Sequence, residues 1–215
     1  NGTYSEAVAI DGTPSDVVDV LVLHADTNYQ VDVAGKIEGG GITSVTTYDA
    51  SVGSPDLAYL GGFQAVLAYT DRSFSDSSAI GDLLADYIDS GGGVVVATFA
   101  LTNATPGDLN GRIIEDGYLP FIQGGFANGG PHTRGADGPE HPILDGVVSF
   151  NGGSSSYRAD VSMRSGATEV AHWSNGTPLI GVQTVDGVNV VALNFFPPSS
   201  DERSDFWQTS TDGDV

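Results

Sequence analysis

Apolar segments of strand length dominate the first half of the chain and limit what it can fold into. The clearest, Val17–Leu23, is aliphatic apart from a single aspartate. A strand with one wet face alternates apolar and polar residues, whereas a nearly continuous run indicates a strand buried on both faces. Further strand-like segments follow at 42–48, 64–70 and 94–100. This pattern predicts an α/β protein whose parallel sheet is covered by helices.

The segment 75–90 has the strongest helical pattern. Its apolar residues recur at intervals of three and four, and Ser75 or Asp76 can cap its first turn. Gly91-Gly92-Gly93 ends it, and a shorter helix is predicted over 31–39. Strand–helix–strand order predicts βαβ units with right-handed crossovers.

The second half of the chain has shorter predicted elements. Asp186-Gly187 separates two apolar segments, which is a strong hairpin signal. One short helix is predicted near 108–117, and 188–195 is predicted to be a central strand. The predicted strands are 147–150, 157–161, 169–173, 178–184 and 188–195.

No repeat or linker divides the 215 residues, so one domain over 1–215 is expected. Residues 1–16 are assigned to an N-terminal extension and 201–215 to a C-terminal tail. A domain of this kind would have a last helix after that tail, so the chain is expected to be a piece of a longer protein.

Acidic residues far outnumber basic ones, 28 against 7, and the formal net charge is −21. Such a surface repels phosphate backbones and anionic membranes, so we expect no nucleic-acid partner and no membrane insertion. A saline habitat and secretion into a calcium-containing medium both fit this charge. The charged fraction is only 16%, which favours secretion, and an extracellular or cell-surface location is expected. Sequons at Asn1, Asn103 and Asn175 fit N-glycosylation, although such triplets also arise by chance.

Features in a particular order along residues 17–200 carry a family resemblance. They are the strand Asp19–Leu23 with its polar loop, the helix 75–90 leading through three glycines into 94–100, the segment His141–Gly146, and the hairpin strand ending at Val190–Asn194. The chain thereby resembles the class I glutamine amidotransferase-like superfamily, and within it the ThuA-like and related branches. The resemblance implies a flavodoxin-like three-layer sandwich, mostly parallel, with a C-terminal antiparallel hairpin.

The resemblance also implies a site at the carboxyl ends of the strands, where catalytic members carry a cysteine after the strand matching 94–100. This chain has no cysteine at all, and Phe99 or Ala100 falls at that place. The family's His-x-Glu pair would follow 188–194, where the chain reads Phe195-Phe196-Pro197-Pro198. Hydrolysis of glutamine is therefore excluded.

If the chain is an enzyme, His24, Asp26, Asp71 and His132 are the candidates for acid–base chemistry. His24 closes the first buried strand with Asp26 two residues on, and Asp71 follows the third strand. A metal site would need the same four residues to converge from distant parts of the chain. For His24 the functional and structural interpretations stay evenly balanced.

Scarce cations and aromatic rings near the predicted strand ends are the binding candidates. Arg72 could hold an anionic or sugar ligand, although a surface pair with Asp71 or Asp76 also explains it. Rings such as Phe196 can stack on a sugar, although core packing explains most rings. The binding candidates are Arg72, Phe99, Thr102, Arg134 and Phe196.

Short acidic turns suggest calcium as a cofactor, if there is one. Asp137–Glu140, Asp201-Glu202 and Asp212–Asp214 are examples, but none has the spacing of an EF-hand loop. We therefore expect structural turns and no cofactor, with calcium as the one candidate if a cofactor is present.

Three functions remain open. The first is a non-catalytic binding or assembly module of a secreted or surface protein, with other domains, subunits or a carbohydrate as partner. The second is a ThuA-like enzyme acting on a sugar or small polar metabolite. The third is a structural subunit of an extracellular layer or fibre, which needs self-complementary patches.

Overall fold

A computed structural model describes residues 18–104, 107–136 and 138–215. The predicted extension 1–16, the Asn1 sequon, Thr105 of the second sequon and Asp137 lie outside the described residues. The strands are β1 (Asp19–Ala25), β2 (Ser44–Asp49), β3 (Ala65–Thr70), β4 (Gly93–Ala97), β5 (Phe121–Ile122), β6 (Phe126–Ala127), β7 (Arg158–Ala159), β8 (Ser162–Met163), β9 (Thr168–His172), β10 (Pro178–Val185) and β11 (Val188–Leu193). The helices are α1 (Gln30–Gly39), α2 (Leu57–Leu60), α3 (Ser77–Asp89) and α4 (Arg112–Glu115), with a 3-10 turn at Pro142–Leu144.

A seven-stranded sheet in the order β2-β1-β3-β4-β11-β10-β9 forms the centre of the molecule. The pairs from β2 through to β11 are parallel, while β10 is antiparallel to both β11 and β9. The predicted flavodoxin-like α/β class, with its C-terminal antiparallel hairpin, is confirmed. The prediction that 188–195 is a central strand is also confirmed, because β11 lies between β4 and β10.

The hairpin between β10 and β11 turns on two residues. Val185 pairs with Val188, and Asp186 and Gly187 have φ angles of 48° and 90°. Positive φ at both turn positions matches the right-handed twist of the strands, which is why an Asp-Gly pair predicts this connection.

Helix α3 covers one face of the sheet. The Asp76 carboxylate accepts from the backbone N–H groups of Ser78 and Ala79 and so caps the helix, as the sequence predicts. Ile80, Leu84 and Ile88 form its buried stripe and pack against apolar side chains of β1, β3, β4 and β11.

Helix α1 lies on the opposite face, over fewer strands. Its Val33 packs with Val22 of β1 and Leu67 of β3, together with Phe196 and Phe206 from the C-terminal segment. A third apolar cluster around Trp173 lies near β9 and β10, and includes Phe150, Leu179 and Trp207.

One predicted strand of the second half is wrong, and another is shorter than predicted. Residues 147–150 form no strand, because their backbone bonds to the C-terminal tail: the Asp212 carboxylate accepts from the N–H groups of Val148 and Ser149, and Asp212 N–H donates to Ser149 O. The predicted strand 157–161 shrinks to β7, which pairs with β6 outside the main sheet. The predicted strand 94–100 is also shorter than predicted, because β4 ends at Ala97 and the chain turns over 98–101.

None of the described helices is both long and apolar enough to cross a membrane.

Two helical glycines are predicted to respond in opposite ways to alanine. A Cβ on Gly81 of α3 would overlap the carbonyl group of Asn110, whereas a Cβ on Gly35 of α1 meets nothing within 4 Å. Gly81→Ala should lower the free energy of unfolding by about 1–3 kcal/mol. Gly35→Ala should raise it by about 0.5–1 kcal/mol, because alanine loses less backbone entropy on folding. Urea unfolding of both variants measures the difference, and a shift of the same sign in both would contradict this packing.

Candidate functional site

The carboxyl ends of the parallel strands meet at one edge of the sheet, which is where α/β proteins place their ligand sites. The loop after β1 carries Asp26, the loop after β3 carries Asp71 and Arg72, and the turn after β4 carries Phe99. His24 and Tyr69 are neighbours in register on β1 and β3.

Asp26 is the centre of a buried polar group. Its Oδ2 accepts a hydrogen bond from the Tyr69 hydroxyl, and its Oδ1 accepts from the backbone N–H groups of Asn28 (3.0 Å) and Tyr29 (3.3 Å). His24 Nδ1 lies 3.3 Å from Asp26 Oδ1, in poor alignment for a hydrogen bond. The three side chains are almost inaccessible: Tyr69 is 0% exposed, His24 4% and Asp26 7%. These side chains therefore contact one another, and Asp26 also contacts the backbone of the loop after β1.

The contacts around Asp26 decide the charge state of this group. Burial alone would raise the pKa of Asp26, but the contacts from His24, Tyr69 and Asn28 N–H outweigh it and lower that pKa below its usual value. Burial and the negative charge of Asp26 raise the pKa of Tyr69 well above its usual value. Asp26 is therefore a carboxylate at neutral pH, and Tyr69 stays protonated and donates to it.

Asp71 lies beside this group in a less favourable environment. Thr27 Oγ1 donates to its Oδ2 at 3.5 Å, and Arg72 Nε donates to the same hydroxyl at 2.9 Å. Its Oδ1 is buried and has no hydrogen-bond partner among the described residues. Burial, reinforced by the charge of Asp26, raises the pKa of Asp71. Asp71 is thus the one carboxyl of this group with hydrogen-bonding capacity to spare.

Aromatic rings fill the space at the turn after β4. The Phe99 ring centroid lies 5.2 Å from that of Phe196, 5.4 Å from Phe126 and 5.6 Å from Tyr157. Phe206 extends the group, at 5.2 Å from Phe196. We call these five rings the aromatic cluster. Edge-to-face and tilted contacts at these distances are favourable, so the cluster is a packed unit.

The Asn194 side chain links the turn after β4 to β7 and β10. It was not among the candidate residues predicted from the sequence. Its Oδ1 accepts from Thr98 Oγ1 (3.1 Å) and Ala159 N–H (2.7 Å), and its Nδ2 donates to the carbonyls of Ala159 and Pro178. It is fully buried directly after β11. A short amide closing an apolar run is the only sequence signal that could have pointed to it.

The candidates His132 and Arg134 contact residues outside this group. His132 Nδ1 is 3.3 Å from Ser174 Oγ, and burial, together with the charge of Arg158, lowers the His132 pKa. Arg134 donates to the carbonyls of Val147 and Val148. The structure thus brings His24, Asp26 and Asp71 together, and it gives His132 and Arg134 contacts of a different kind.

Thr102 and the sequons can also be placed. Thr102 is buried and its hydroxyl donates to Phe99 O at 2.9 Å, which holds the turn. Asn103 and Asn175 are exposed. Within the described ranges, no group of three or more His, Asp or Glu side chains is placed to hold a metal ion.

No protein-family model and no curated protein matches this chain. Several solved structures match its fold. A ThuA-like protein from Bacteroides uniformis ATCC 8492 superposes with a TM-score of 0.58 at 15% identity, over 87% of this chain and 86% of that one. A GMP synthase subunit from Thermoplasma acidophilum gives 0.53 at 9% identity, over 85% of each chain. The GH42 β-galactosidase Gan42B from G. stearothermophilus (E323A mutant) gives 0.54 at 10% identity, over 85% of this chain and 28% of that one.

This chain has the amidotransferase-like fold. Identities this low show the fold alone. Within this fold, the turn that the resemblance assigns to the nucleophile is the turn occupied by Phe99, inside the aromatic cluster.

Asp26→Asn should destabilise the protein most at neutral pH. The substitution removes a buried charged acceptor of three hydrogen bonds, so the free energy of unfolding at pH 7 should fall by about 1.5–3 kcal/mol. Because the folded-state pKa is lowered, the stabilisation by Asp26 is present above the unfolded pKa of about 3.9 and is lost as the pH falls through the folded-state pKa. Urea unfolding at pH 7 and at pH 2 tests this, and an equal loss at both would contradict it.

Asp71→Asn should have the opposite effect, which makes it the matched control. Its folded-state pKa is raised, so the ionised carboxylate costs stability above that pKa. The amide can still accept from Thr27 and carries no charge facing Asp26. The variant should have a higher free energy of unfolding than wild type at pH 7, and the gain should disappear below about pH 4, where Asp71 is protonated in both states. A loss of stability at pH 7 would be inconsistent with this environment.

Proposed function

We propose that this chain is a non-catalytic, amidotransferase-like module that binds or assembles with other parts of a larger protein or complex. The aromatic cluster is the observation that carries the proposal. The turn after β4 presents a phenylalanine in contact with three other rings, where the family resemblance implies a nucleophile.

The polar group beside the aromatic cluster supports the same function. His24 and Asp26 are more than nine-tenths buried, and the carboxylate is occupied by Tyr69 and backbone N–H groups. An acid–base catalyst must come within hydrogen-bond distance of a proton on its substrate. His24 and Asp26 are buried and face each other, so they do not meet this requirement. We interpret this group as a structural anchor for the loop after β1.

Assembly is the part of the proposal that the comparison with Gan42B favours. That similarity covers 28% of the β-galactosidase chain, so the same fold occurs there as one part of a longer polypeptide. By analogy, we propose other domains or subunits as the partners of this chain, and a carbohydrate as the alternative. The acidic composition leads us to place it in a secreted or cell-surface protein.

A ThuA-like enzyme is the second candidate, and one observation favours it. Asp71 has a raised pKa and a buried oxygen without a partner, which are properties of carboxyls that transfer protons. In that function Asp71 would act on a sugar or small polar metabolite held near Arg72.

An assay for turnover separates the two candidates. The purified chain is incubated with glutamine, to detect ammonia, and with panels of nitrophenyl glycosides and esters, to detect nitrophenol. The module predicts rates equal to buffer for every substrate, because the aromatic cluster leaves no nucleophile at the turn.

A rate above buffer that Asp71→Asn abolishes would overturn the proposal in favour of the enzyme. Asp71→Asn is the informative variant because it is expected to keep the fold. The double variant His24→Ala/Asp71→Ala removes two candidate acid–base side chains at once. Its thermal unfolding is measured in parallel.

A further inference from the structure

The two faces of the sheet are covered to different extents. In β1 and β3 the central residues are buried on both faces, for example Leu21 and Val22. In β11 the side chains alternate: Val190 and Ala192 are buried under the α3 face, while Val191 and Leu193 are only half-buried. The same alternation occurs in β4, where Val95 is half-buried between fully buried neighbours. The face that carries α1 is therefore incompletely covered over β4 and β11.

Two cavities lie on that incompletely covered face. One, of about 280 Å³, extends from Val95, Val191 and Leu193 to Ile143 and Leu144 of the 3-10 turn. The other, of about 190 Å³, extends from Leu193 to Val33 and Ile37 of α1. Both share Leu193, Phe195, Gly213 and Val215, so they are two parts of one depression, which we call the apolar groove.

We propose that the apolar groove binds an amphipathic helix with a basic polar face, supplied by a partner protein. This proposal rests on the assembly part of the proposed function and is independent of the question of turnover.

The position of the groove fits a helix. Helices packed side by side on a sheet have axes 8–10 Å apart, and strands are about 4.8 Å apart. The next helix beside α1 would therefore lie about two strands further along, over β4 and β11. Those strands form the floor of the groove, between α1 on one side and the 3-10 turn on the other. A sheet buried on both faces is the stable arrangement for parallel strands, and α3 already supplies the second layer on the far side.

The charges around the groove determine the polar face of the partner. Lys36 is neutralised by Asp201 at 2.5 Å and Asp32 at 4.0 Å. Asp212 and Asp214 lie at the edge of the cavities. Arg134 also lines the larger cavity, but its guanidinium donates to the carbonyls of Val147 and Val148. The whole chain carries a net charge of −21, so the acidic groups prevail around the groove. A helix with Lys or Arg on its flanks is attracted to this rim, whereas a second copy of this acidic chain is repelled.

The test uses a synthetic helix and a matched control peptide. The probe is a fluorescein-labelled peptide about as long as α3, with leucines at i, i+3, i+4 and i+7 and lysines elsewhere; the control has the same composition in scrambled order. Fluorescence anisotropy near physiological ionic strength measures binding of both to the full chain. The helical peptide should bind at least tenfold more tightly, and its helicity by circular dichroism should rise on binding.

Variants of the protein locate the binding site. Val191→Lys places a charge on the groove floor and Ile37→Lys places one on its wall, so both should weaken binding of the helical peptide about tenfold or more. Val52→Lys is the matched control, since Val52 is 82% exposed after β2 and the change in net charge is the same. It should change the affinity less than about twofold. Thermal unfolding shows which variants remain folded.

Several results would overturn the proposal. Equal binding of the scrambled peptide would mean attraction by charge only, and no binding of the helical peptide would mean that the groove does not accept a helix. Loss of affinity with Val52→Lys equal to that with Val191→Lys would place the contact elsewhere. A dimer in light scattering that Val191→Lys dissociates and Val52→Lys does not would assign the groove to a second copy. None of these results depends on whether the chain turns over a substrate.

Discussion

The burial of β1 and β3 on both faces is the constraint on which the rest of the structure depends. Strands whose side chains are apolar in both directions need a layer on each side, and α3 and α1 supply these layers. Because the strands are parallel, their carboxyl ends then lie along one edge, and the loops that follow them are brought together. The contact between Asp26 and Tyr69 is thus a consequence of sheet packing between residues 43 positions apart.

Two neighbouring carboxyls show how the same edge produces different chemistry. Asp26 is more deeply buried than Asp71, yet its pKa is lowered, because His24, the Tyr69 phenol and the Asn28 N–H all favour its charged form. Burial and the charge of Asp26 raise the pKa of Asp71, because its one long hydrogen bond from Thr27 does not offset them. Burial raises the pKa of both carboxyls, and the contacts that offset it at Asp26 but not at Asp71 decide which carboxylate is stable at this edge. The charge of Asp26 is in turn part of the reason that Asp71 resists ionisation.

The predictable parts of this fold were those whose signals are local. Helix α3 has an apolar stripe and the Asp76 cap within one segment, and the Asp186-Gly187 turn needs only two residues with positive φ. Residues 147–150 look like a strand, but their bonding partner Asp212 lies more than 60 positions away. The positions of His24, Asp26 and Asp71 followed from the strand order, whereas the role of Asn194 did not, because its four partners come from three separate parts of the chain.

The strand ends are filled by side chains, whereas one face of the sheet is left open, and this difference relates the proposed module to the apolar groove. An enzyme of this architecture needs room for a substrate at the ends of the strands, where the aromatic cluster here packs ring against ring. Two open volumes, of about 280 and 190 Å³, lie instead on a face of the sheet, where aliphatic side chains, including those of β4 and β11, form most of the lining. An apolar depression on a sheet gains free energy when another apolar surface is buried against it, which suits association. Filling of the strand ends and exposure of the sheet face are therefore consistent with one function, the holding of another polypeptide.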